Sequence, residues 1–193
     1  MAALARIRHH LSLAIFGTSL IELTTFSCIR LINMYFFKYQ SPLGEIAISA
    51  NDHGINALAF QRGSAPLAEP KEIKENKKLF NKITAQLDEY FAGKRKSFDL
   101  PLAPEGTPFR QQVWQALLEI PFGETRSYGW LAQHINNPKA VRAVGGANGA
   151  NPIALIIPCH RVIGSNSKLT GYAGGVEFKA ALLAHENATF IQE

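Results

Sequence analysis

The tetrapeptide Pro158-Cys159-His160-Arg161 directly follows the apolar run 153–157, so a thiol stands beside an imidazole and a guanidinium. A thiol becomes a strong nucleophile as a thiolate, and a neighbouring base or cation favours that form. Taken alone, a cysteine flanked by apolar residues is more often an inert core residue. Because His160 and Arg161 are adjacent, we interpret Cys159 as the candidate nucleophile.

His160 is the candidate base for this thiol. Consecutive side chains of an extended chain point to opposite sides, so we expect His160 to act through a water or after a bend. A base needs a group that orients it, and Glu186 on the last predicted helix is the obvious third member by the logic of triads. Asn151 could brace the cysteine turn, although a plain turn residue before proline is its default interpretation.

The chain holds two cysteines, Cys28 and Cys159, and no Cys-x-x-Cys pair or set of Cys and His at ligand spacing. The sequence therefore predicts neither a zinc site nor a disulfide framework. No cofactor motif is present, and no second cysteine lies near Cys159 to regenerate it, which weighs against a thiol-redox enzyme. A reducing compartment preserves a free thiol, so we expect a cytoplasmic protein.

The composition is that of a globular protein. The 193 residues are 47% hydrophobic and 18% charged, enough for one ordinary domain or two small ones. The net charge of +5 weakly favours a polyanionic partner. Between positions 120 and 175 there are five basic residues and one acidic residue. By charge alone, a solvated basic surface is a simpler interpretation of this stretch than a binding site for a polyanion.

Residues 1–33 differ from the rest of the chain. The apolar run 11–21 follows Arg6 and Arg8 and resembles the core of a signal peptide. It is too short to span a bilayer before Glu22, and no convincing cleavage site follows. We interpret residues 1–33 as an extension outside the fold, with a membrane anchor as the alternative, and we expect no membrane partner.

The N-terminal half alternates between apolar and polar residues like a small antiparallel sheet. Turn residues separate three predicted strands, at 35–39, 44–50 and 55–60. Helical spacing of apolar residues predicts a helix over 72–92, with Gly93 where a C-cap would stand. Residues 97–100 are predicted to add an edge strand. Residues 101–106 form a linker that divides a domain over 34–103 from one over 104–193.

The C-terminal half is predicted to be mostly helical. Thr107-Pro108 is an N-cap followed by proline at the first helical position, and Ser127 caps a helix over 128–135. The turn Asn136-Asn137-Pro138 starts a helix over 138–147, which completes a helix-turn-helix. Such a pair serves nucleic-acid binding or core packing, and beside a basic stretch both interpretations stay open. A loop over 164–175 then precedes a last helix over 176–185.

Residues 106–186 resemble the methylated-DNA–protein-cysteine methyltransferases, or O6-alkylguanine-DNA alkyltransferases, and are most similar to the bacterial Ogt-type members. The most specific motif is Pro158-Cys159-His160-Arg161-Val162 placed after a helix-turn-helix. The other matching motifs cover residues 120–125, 127–129, 137–145, 151–153 and 169–175. The region from Met34 matches more loosely.

The resemblance implies an α/β (α+β) fold. It consists of a ribonuclease-H-like N-terminal domain and a helical, winged-helix-like C-terminal domain that carries the helix-turn-helix. The implied partner is double-stranded DNA, bound through the minor groove by a protein that we expect to be a monomer. The alkylated guanine would be rotated out of the stack, because a duplex hides the O6 substituent from a protein pocket.

Roles for individual residues follow from the same resemblance. Arg142 would fill the gap that the flipped base leaves, and Tyr128 would displace the target phosphate and meet the base. The further expected DNA contacts are Lys139, Ala140 and Arg161. The expected lining of the guanine pocket is Tyr128, Val162, Tyr172 and Ala173.

The implied chemistry is an in-line displacement in which Cys159 attacks the alkyl carbon. His160 would take the thiol proton through a water, Glu186 would hold the imidazole, and Asn151 would brace the site. The S-alkylcysteine product has no easy leaving route, so the protein would be consumed after one event. The resemblance implies no cofactor and, since the N-terminal half lacks the Cys/His set of some relatives, no metal.

Trp130 departs from the family pattern, which usually has Glu or Gln at this position. We expect it on an exposed helix face near DNA, where it bears on affinity rather than chemistry. Two alternatives come from other functional classes. A non-catalytic module that binds alkylated DNA would replace the cysteine, which this chain retains. A Cys-His hydrolase would need an oxyanion hole and turnover, and the sequence shows no sign of either.

Overall fold

The computed structural model of the protein describes residues 33–63 and 65–191. The predicted antiparallel sheet is confirmed, in the order β1-β2-β3. Its strands are β1 (Met34–Ser41), β2 (Gly44–Asn51) and β3 (Gly54–Phe60). The central strand β2 is buried from Ile46 onward, because it is covered on both faces.

The predicted extension, with its signal-like run and the alternative of a membrane anchor, lies outside the described residues except for Asn33. Asn33 belongs to the fold, since its side-chain Nδ2 donates to Asp52 at 3.1 Å and its side-chain Oδ1 accepts from Lys74 at 2.5 Å. Among the helices in the described part of the chain, none has the length and apolar character needed to cross a membrane.

Helix α1 (Lys77–Phe91) packs against β1 and begins five residues later than its apolar spacing predicts. Asn76 sets this start, because its side-chain oxygen accepts from the backbone N–H of Leu79 at 3.0 Å and so caps the helix. The predicted end is confirmed. Gly93 follows the C-cap residue with φ of 72°, a left-handed conformation that glycine adopts without strain.

The predicted edge strand over 97–100 is wrong. The backbone N–H and C=O of Asp99 are both bonded to the side-chain amide of Gln86, at 2.8 and 2.9 Å, and so are not available to a sheet. Pairing with β3 occurs further along, as a single parallel bridge between Ile55 and Leu102. A side chain on α1, distant in sequence, therefore replaces the expected strand.

The helices of the C-terminal half mostly begin where their caps predict. They are α2 (Pro108–Leu118), α3 (Tyr128–His134), α4 (Val141–Gly149) and α5 (Val176–His185). Thr107 and Ser127 cap α2 and α3 as predicted, each accepting from a backbone N–H three residues on. Helices α2, α3 and α4 pack against one another, so the predicted helix-turn-helix is α3 and α4.

Helix α4 starts three residues later than predicted. The segment Pro138–Ala140 forms a turn instead, closed by the N–H of Ala140 donating to the carbonyl of Asn137 at 3.0 Å. Asn136 precedes it with φ of 56°, a left-handed conformation that asparagine tolerates. Proline after this kink therefore continues a turn rather than opening the helix.

The two halves meet along β3. The N–H of Leu58 donates to the carbonyl of Pro152 at 2.8 Å, and the N–H of Ala154 donates to the carbonyl of Leu58 at 2.9 Å. The apolar run 153–157 thus begins against the edge of the sheet. Beyond it a short 3-10 turn, Cys159–Arg161, leads into β5 (Val162–Ile163), which pairs in parallel with β4 (Arg126–Ser127).

Candidate active site

Cys159 lies at the first position of the 3-10 turn, and only 5% of its surface is exposed. Its backbone N–H donates to the carbonyl of Ile157 at 2.8 Å, and that of Arg161 donates to Pro158 at 3.0 Å. The segment is therefore bent rather than extended, and a bend was one of the two expected alternatives. The bend makes Cys159, His160 and Arg161 all point into the protein interior, where each is buried.

Asn151 contacts the sulfur directly. Its side-chain N–H group donates to Sγ of Cys159 at 3.0 Å and to the carbonyl of Ile157 at 2.8 Å, while its oxygen accepts from the N–H of Ile153 at 3.1 Å. The amide therefore holds both ends of the apolar run and the thiol. A neighbouring amide, Asn148, donates to the carbonyl of Cys159 at 3.4 Å.

The imidazole of His160 is held by Glu186, with Nε2 at 2.9 Å from Oε1. An ionised carboxylate only accepts hydrogen bonds, so Nε2 carries the hydrogen and Nδ1 has the lone pair. Nδ1 is buried and has no hydrogen-bond partner in the described part of the chain. Burial lowers the pKa of His160 below its usual value against the opposing effect of Glu186, so the ring is a neutral base at pH 7.

Glu186 accepts hydrogen bonds from several parts of the chain, although it is buried. Arg161 donates to both carboxylate oxygens, at 2.8 and 2.9 Å, and the hydroxyl of Tyr90 donates at 2.8 Å. Burial by itself would raise the pKa of Glu186, but the hydrogen bonds from His160 and Arg161 outweigh it and hold that pKa well below its usual range. The carboxylate is therefore ionised.

The prediction that Arg161 contacts DNA is wrong. Its guanidinium is buried, and besides the two bonds to Glu186 it donates to the carbonyl of Ile120 at 2.6 Å. A buried carboxylate needs a buried cation, and this pairing takes Arg161 away from the surface.

The sequence did not indicate a role for Tyr90 in this site. On α1 Tyr90 matches an ordinary core position, and its partner Glu186 lies 96 residues away.

The resting thiol is neutral, although the adjacent imidazole and guanidinium were expected to favour the thiolate. Burial raises the pKa of Cys159, and the hydrogen bond from Asn151 and the charge of Lys179 oppose that rise without overcoming it. The positive charge expected to act on the thiol, that of Arg161, is paired with Glu186 instead. Ionisation of Cys159 therefore requires a base when the substrate is bound.

Lys179 is a further residue of the site that sequence reasoning missed. Its ammonium is buried on α5 and donates to the carbonyls of Val162, at 2.6 Å, and Thr170, at 3.2 Å. Burial lowers its pKa to about 8, against the opposing effect of Cys159. The signal was a lysine among the apolar residues of a buried helix, a position where a charge is costly unless it is bonded.

A cavity of about 30 Å³ adjoins the thiol. Of the predicted pocket residues, Tyr172 and Ala173 line it, and the hydroxyl of Tyr172 is buried. Val162 and Tyr128 do not line it: Val162 is buried in β5, and the Tyr128 hydroxyl accepts from the side chain of Thr170 at 3.1 Å. The space is enclosed by Gly171–Gly174, so in this conformation the loop covers Cys159.

The remaining predicted DNA contacts lie around the helix-turn-helix. Lys139 is exposed in the turn and Arg142 is exposed in the first turn of α4, while Ala140 and Tyr128 are partly buried. Trp130 is also partly buried rather than fully exposed, because its ring stacks on His134 at a centroid distance of 4.6 Å and Arg126 covers it at 5.3 Å. Within residues 33–63 and 65–191, no three His, Cys, Asp or Glu side chains cluster as metal ligands.

The two halves of this structure match two domain families of known proteins. The profile of the 6-O-methylguanine DNA methyltransferase ribonuclease-like domain matches residues 34–104, and that of the DNA-binding domain of the same enzymes matches 108–188. A methylated-DNA–protein-cysteine methyltransferase of Methanosarcina acetivorans is 51% identical over 155 residues, which cover 80% of this chain and 99% of the relative. The chain belongs to the methylated-DNA–protein-cysteine methyltransferase family.

Other members of the family are similar along nearly their whole length. The constitutive methylated-DNA–protein-cysteine methyltransferase of Bacillus subtilis is 48% identical over 160 residues, covering 81% of this chain and 97% of that protein. Among solved structures, Mycobacterium tuberculosis OGT in complex with DNA superimposes with a TM-score of 0.73 at 44% identity, over 79% of this chain and 92% of the other. The fold is the mixed α/β fold of this methyltransferase family.

Proposed function

We propose that the protein repairs DNA by transferring the alkyl group of O6-alkylguanine, and less efficiently that of O4-alkylthymine, irreversibly to Cys159. The observation that carries this is the thiol itself: Sγ accepts a hydrogen bond from Asn151 and adjoins a cavity, and the next residue along the chain is a neutral His160 that Glu186 orients. A single nucleophile with a base and an orienting carboxylate is the arrangement that covalent transfer requires.

The transfer needs no further reactant, because every bond, electron pair and proton is accounted for by the thiol, the alkylated guanine, His160 and a water. Sγ forms a bond to the alkyl carbon as the bond from that carbon to O6 breaks, and the electron pair of the broken bond stays on the guanine. The thiol proton passes through a water to Nδ1 of His160 and is returned to the guanine, which leaves neutral. The thioether that remains on Cys159 cannot be hydrolysed readily, so each molecule acts once.

Duplex DNA is the partner in this proposal, bound by a monomer. Lys139 and Arg142 supply exposed positive charge on the helix-turn-helix, and the start of α3 presents Tyr128 on the same motif. The reaction needs an extruded base, because O6 of a stacked guanine is out of reach of a buried sulfur. Arg142 would then occupy the gap in the stack, and Tyr128 would meet the displaced phosphate.

The loop over residues 164–175 must move for this reaction to occur. A cavity of about 30 Å³ holds only one or two waters and cannot admit a purine. Gly171–Gly174 form the cover, and the bond from Thr170 to Tyr128 joins the same loop to the helix that meets the DNA. In the proposed reaction, the flipped base can therefore enter only as the loop opens.

Intact-mass measurement after incubation with an O6-methylguanine duplex tests the proposal. We expect wild type to gain the mass of one methyl group once, and Cys159→Ala to gain none. An adduct that turns over with an ester substrate would indicate a Cys-His hydrolase instead. Tight binding of the alkylated duplex without any adduct on wild type would indicate a non-catalytic binding module.

The proposed division of the chain into an extension, a domain over 34–103 and a domain over 104–193 has its own test. Because Asn33 bonds to Asp52 and Lys74, we place the cut after residue 32. We expect deletion of residues 1–32 to leave the melting temperature and the methyl transfer rate unchanged. Failure of the shortened chain to fold would show that the extension is part of the fold.

A further inference from the structure

A tail over residues 188–191 follows α5 and lies against the loop over 164–175. Asn187 makes the turn between the helix and the tail, with φ of 55°. The N–H of Ala188 donates to the carbonyl of Leu183 at 2.9 Å, so the start of the tail is fixed to the last turns of the helix. From there the tail reaches the loop that covers the reactive thiol.

The tail pairs with the loop through the backbone of Ile191. The N–H of Ile191 donates to the carbonyl of Ser167 at 2.8 Å, and its carbonyl accepts from the N–H of Leu169 at 3.4 Å. These two bonds form a parallel bridge opposite Lys168. The first half of the loop is therefore held from outside, by a segment that lies beyond α5 in the chain.

This attachment depends on backbone hydrogen bonds rather than on packing. The side chain of Ile191 is one of the exposed large apolar groups, with 51% of its surface accessible, so it buries little area against the loop. Segments with exposed backbone bonds and few buried contacts open locally at a much lower free energy than the core. The tail can therefore detach while the rest of the domain stays folded.

The bridge lies directly before the part of the loop that must move. Gly171–Gly174 line the small cavity beside Cys159 and have to be displaced before a purine can enter. Leu169, which is bonded to the tail, is two residues from that segment. Displacement of the covering residues therefore pulls on the bridge to Ile191.

We propose that the tail over residues 188–191 holds the loop closed over Cys159, and that its detachment is the step that exposes the thiol. The proposal rests on the proposed function only for the identity of the reacting thiol. It adds a control of access, because the rate at which the thiol is exposed is set by a segment that does not line the cavity beside the sulfur.

Two pairs of variants test the tail. A chain that ends at Phe190 lacks Ile191, and a chain that ends at Ile191 keeps the paired residue and is the matched control. In the full-length protein, Ile191→Pro removes the N–H that bonds to Ser167, and Ile191→Ala, which keeps both backbone groups, is its control. Melting temperatures establish that each variant is folded.

Iodoacetamide measures exposure of the thiol, with peptide masses separating Cys159 from Cys28, and hydrogen exchange measures protection of the loop backbone. We expect the chain that ends at Phe190 and Ile191→Pro to react at Cys159 about tenfold faster than wild type, the change that corresponds to loss of one or two hydrogen bonds. Exchange over 164–175 should accelerate as well, whereas exchange within α5 should not. Both controls should behave as wild type does.

Equal rates in the variants and their controls would overturn the proposal. Loss of folding in both Ile191→Pro and the chain that ends at Phe190 would also overturn it, because the tail would then be part of the core. Methyl transfer from an O6-methylguanine duplex to wild type decides the proposed function separately. Iodoacetamide reacts without DNA or a methyl donor, so either proposal can fail while the other stands.

Discussion

The sulfur of Cys159 is neutral at rest because burial raises its pKa. Three neighbouring residues favour ionisation of the thiol when the substrate is bound. His160 provides a neutral base, Asn151 donates a hydrogen bond that favours the thiolate, and the buried ammonium of Lys179 acts in the same direction. A thiol protected in this way is shielded from oxidation until a substrate opens the loop, which suits a protein that can use its cysteine once.

The hydrogen bond from Asn151 should be visible in the pH dependence of transfer. Asn151→Ala removes a donor that stabilises the thiolate, so the pKa of Cys159 rises further and the rate profile shifts to higher pH. A hydrogen bond to a charged group corresponds to a shift of about one pH unit or more. The measurement is the rate of reaction with free O6-benzylguanine between pH 7 and 11, a range that extends above the ordinary pKa of a thiol, because burial raises the pKa of Cys159.

Asn148→Ala is the control for this shift, because Asn148 is a neighbouring amide of the same site that donates to the Cys159 carbonyl rather than to the sulfur. It should leave the midpoint of the profile in place. If both variants slow the reaction at every pH without moving the midpoint, Asn151 supports only the backbone turn.

At the level of elements, the turn before α4 decides which basic groups are presented. Because the helix begins at Val141, Lys139 lies in the turn and Arg142 in the first helical turn, and both side chains are exposed. The 3-10 turn at Cys159 has the opposite effect on Arg161, whose guanidinium it directs inward to Glu186. These two short turns thus leave Lys139 and Arg142 exposed and Arg161 buried.

Arg142→Ala tests the role of α4. Loss of the side chain that fills the stack should slow transfer from duplex O6-methylguanine by about tenfold or more, since a single contact of this kind contributes about 1–3 kcal/mol. The reaction with free O6-benzylguanine should stay within twofold of wild type, because no duplex has to be opened. Arg110→Ala, an exposed cation on α2 outside the helix-turn-helix, should alter neither rate. Equal losses on duplex and free base would exclude the proposed role.

Across the whole molecule, the N-terminal half completes the site of the C-terminal half. Tyr90 on α1 donates to Glu186, and β3 is hydrogen-bonded to the start of the apolar run that precedes Pro158 and Cys159. Burial raises the pKa of Tyr90 far above its usual value, so this hydroxyl remains a donor at any physiological pH. The ribonuclease-like half therefore has a positioning role at the reactive centre.

Tyr90→Phe removes one donor from a buried carboxylate and should lower the free energy of unfolding by about 1.5–3 kcal/mol. Tyr39→Phe is the matched control, since its hydroxyl bonds to Asp88 on the surface at 2.7 Å, and it should cost less than about 1 kcal/mol. Urea denaturation measures both. Because Glu186 orients His160, Tyr90→Phe should also slow benzyl transfer from the free base, whereas Tyr39→Phe should not. A Tyr90→Phe protein with full stability and rate would contradict the positioning role.

Interactions between residues close in sequence were sufficient to predict much of the fold. The caps at Thr107, Ser127 and Gly93 act on backbone groups within one turn, so the residues around them predict where three helices begin or end. The errors arose where a distant or competing partner intervened. Gln86 took the backbone bonds of Asp99 that a strand would have used.

The candidate nucleophile and its helper groups were also open to prediction, because Cys159, His160, Asn151 and Glu186 are chemically distinctive and occur in a recognisable family pattern. Their charge states were not. A pKa depends on burial and on charges that lie close in space, and neither quantity is encoded in the spacing of residues along the chain. The neutral thiol, the pairing of Arg161 with Glu186, and the contributions of Tyr90 and Lys179 therefore became apparent only once the chain was folded.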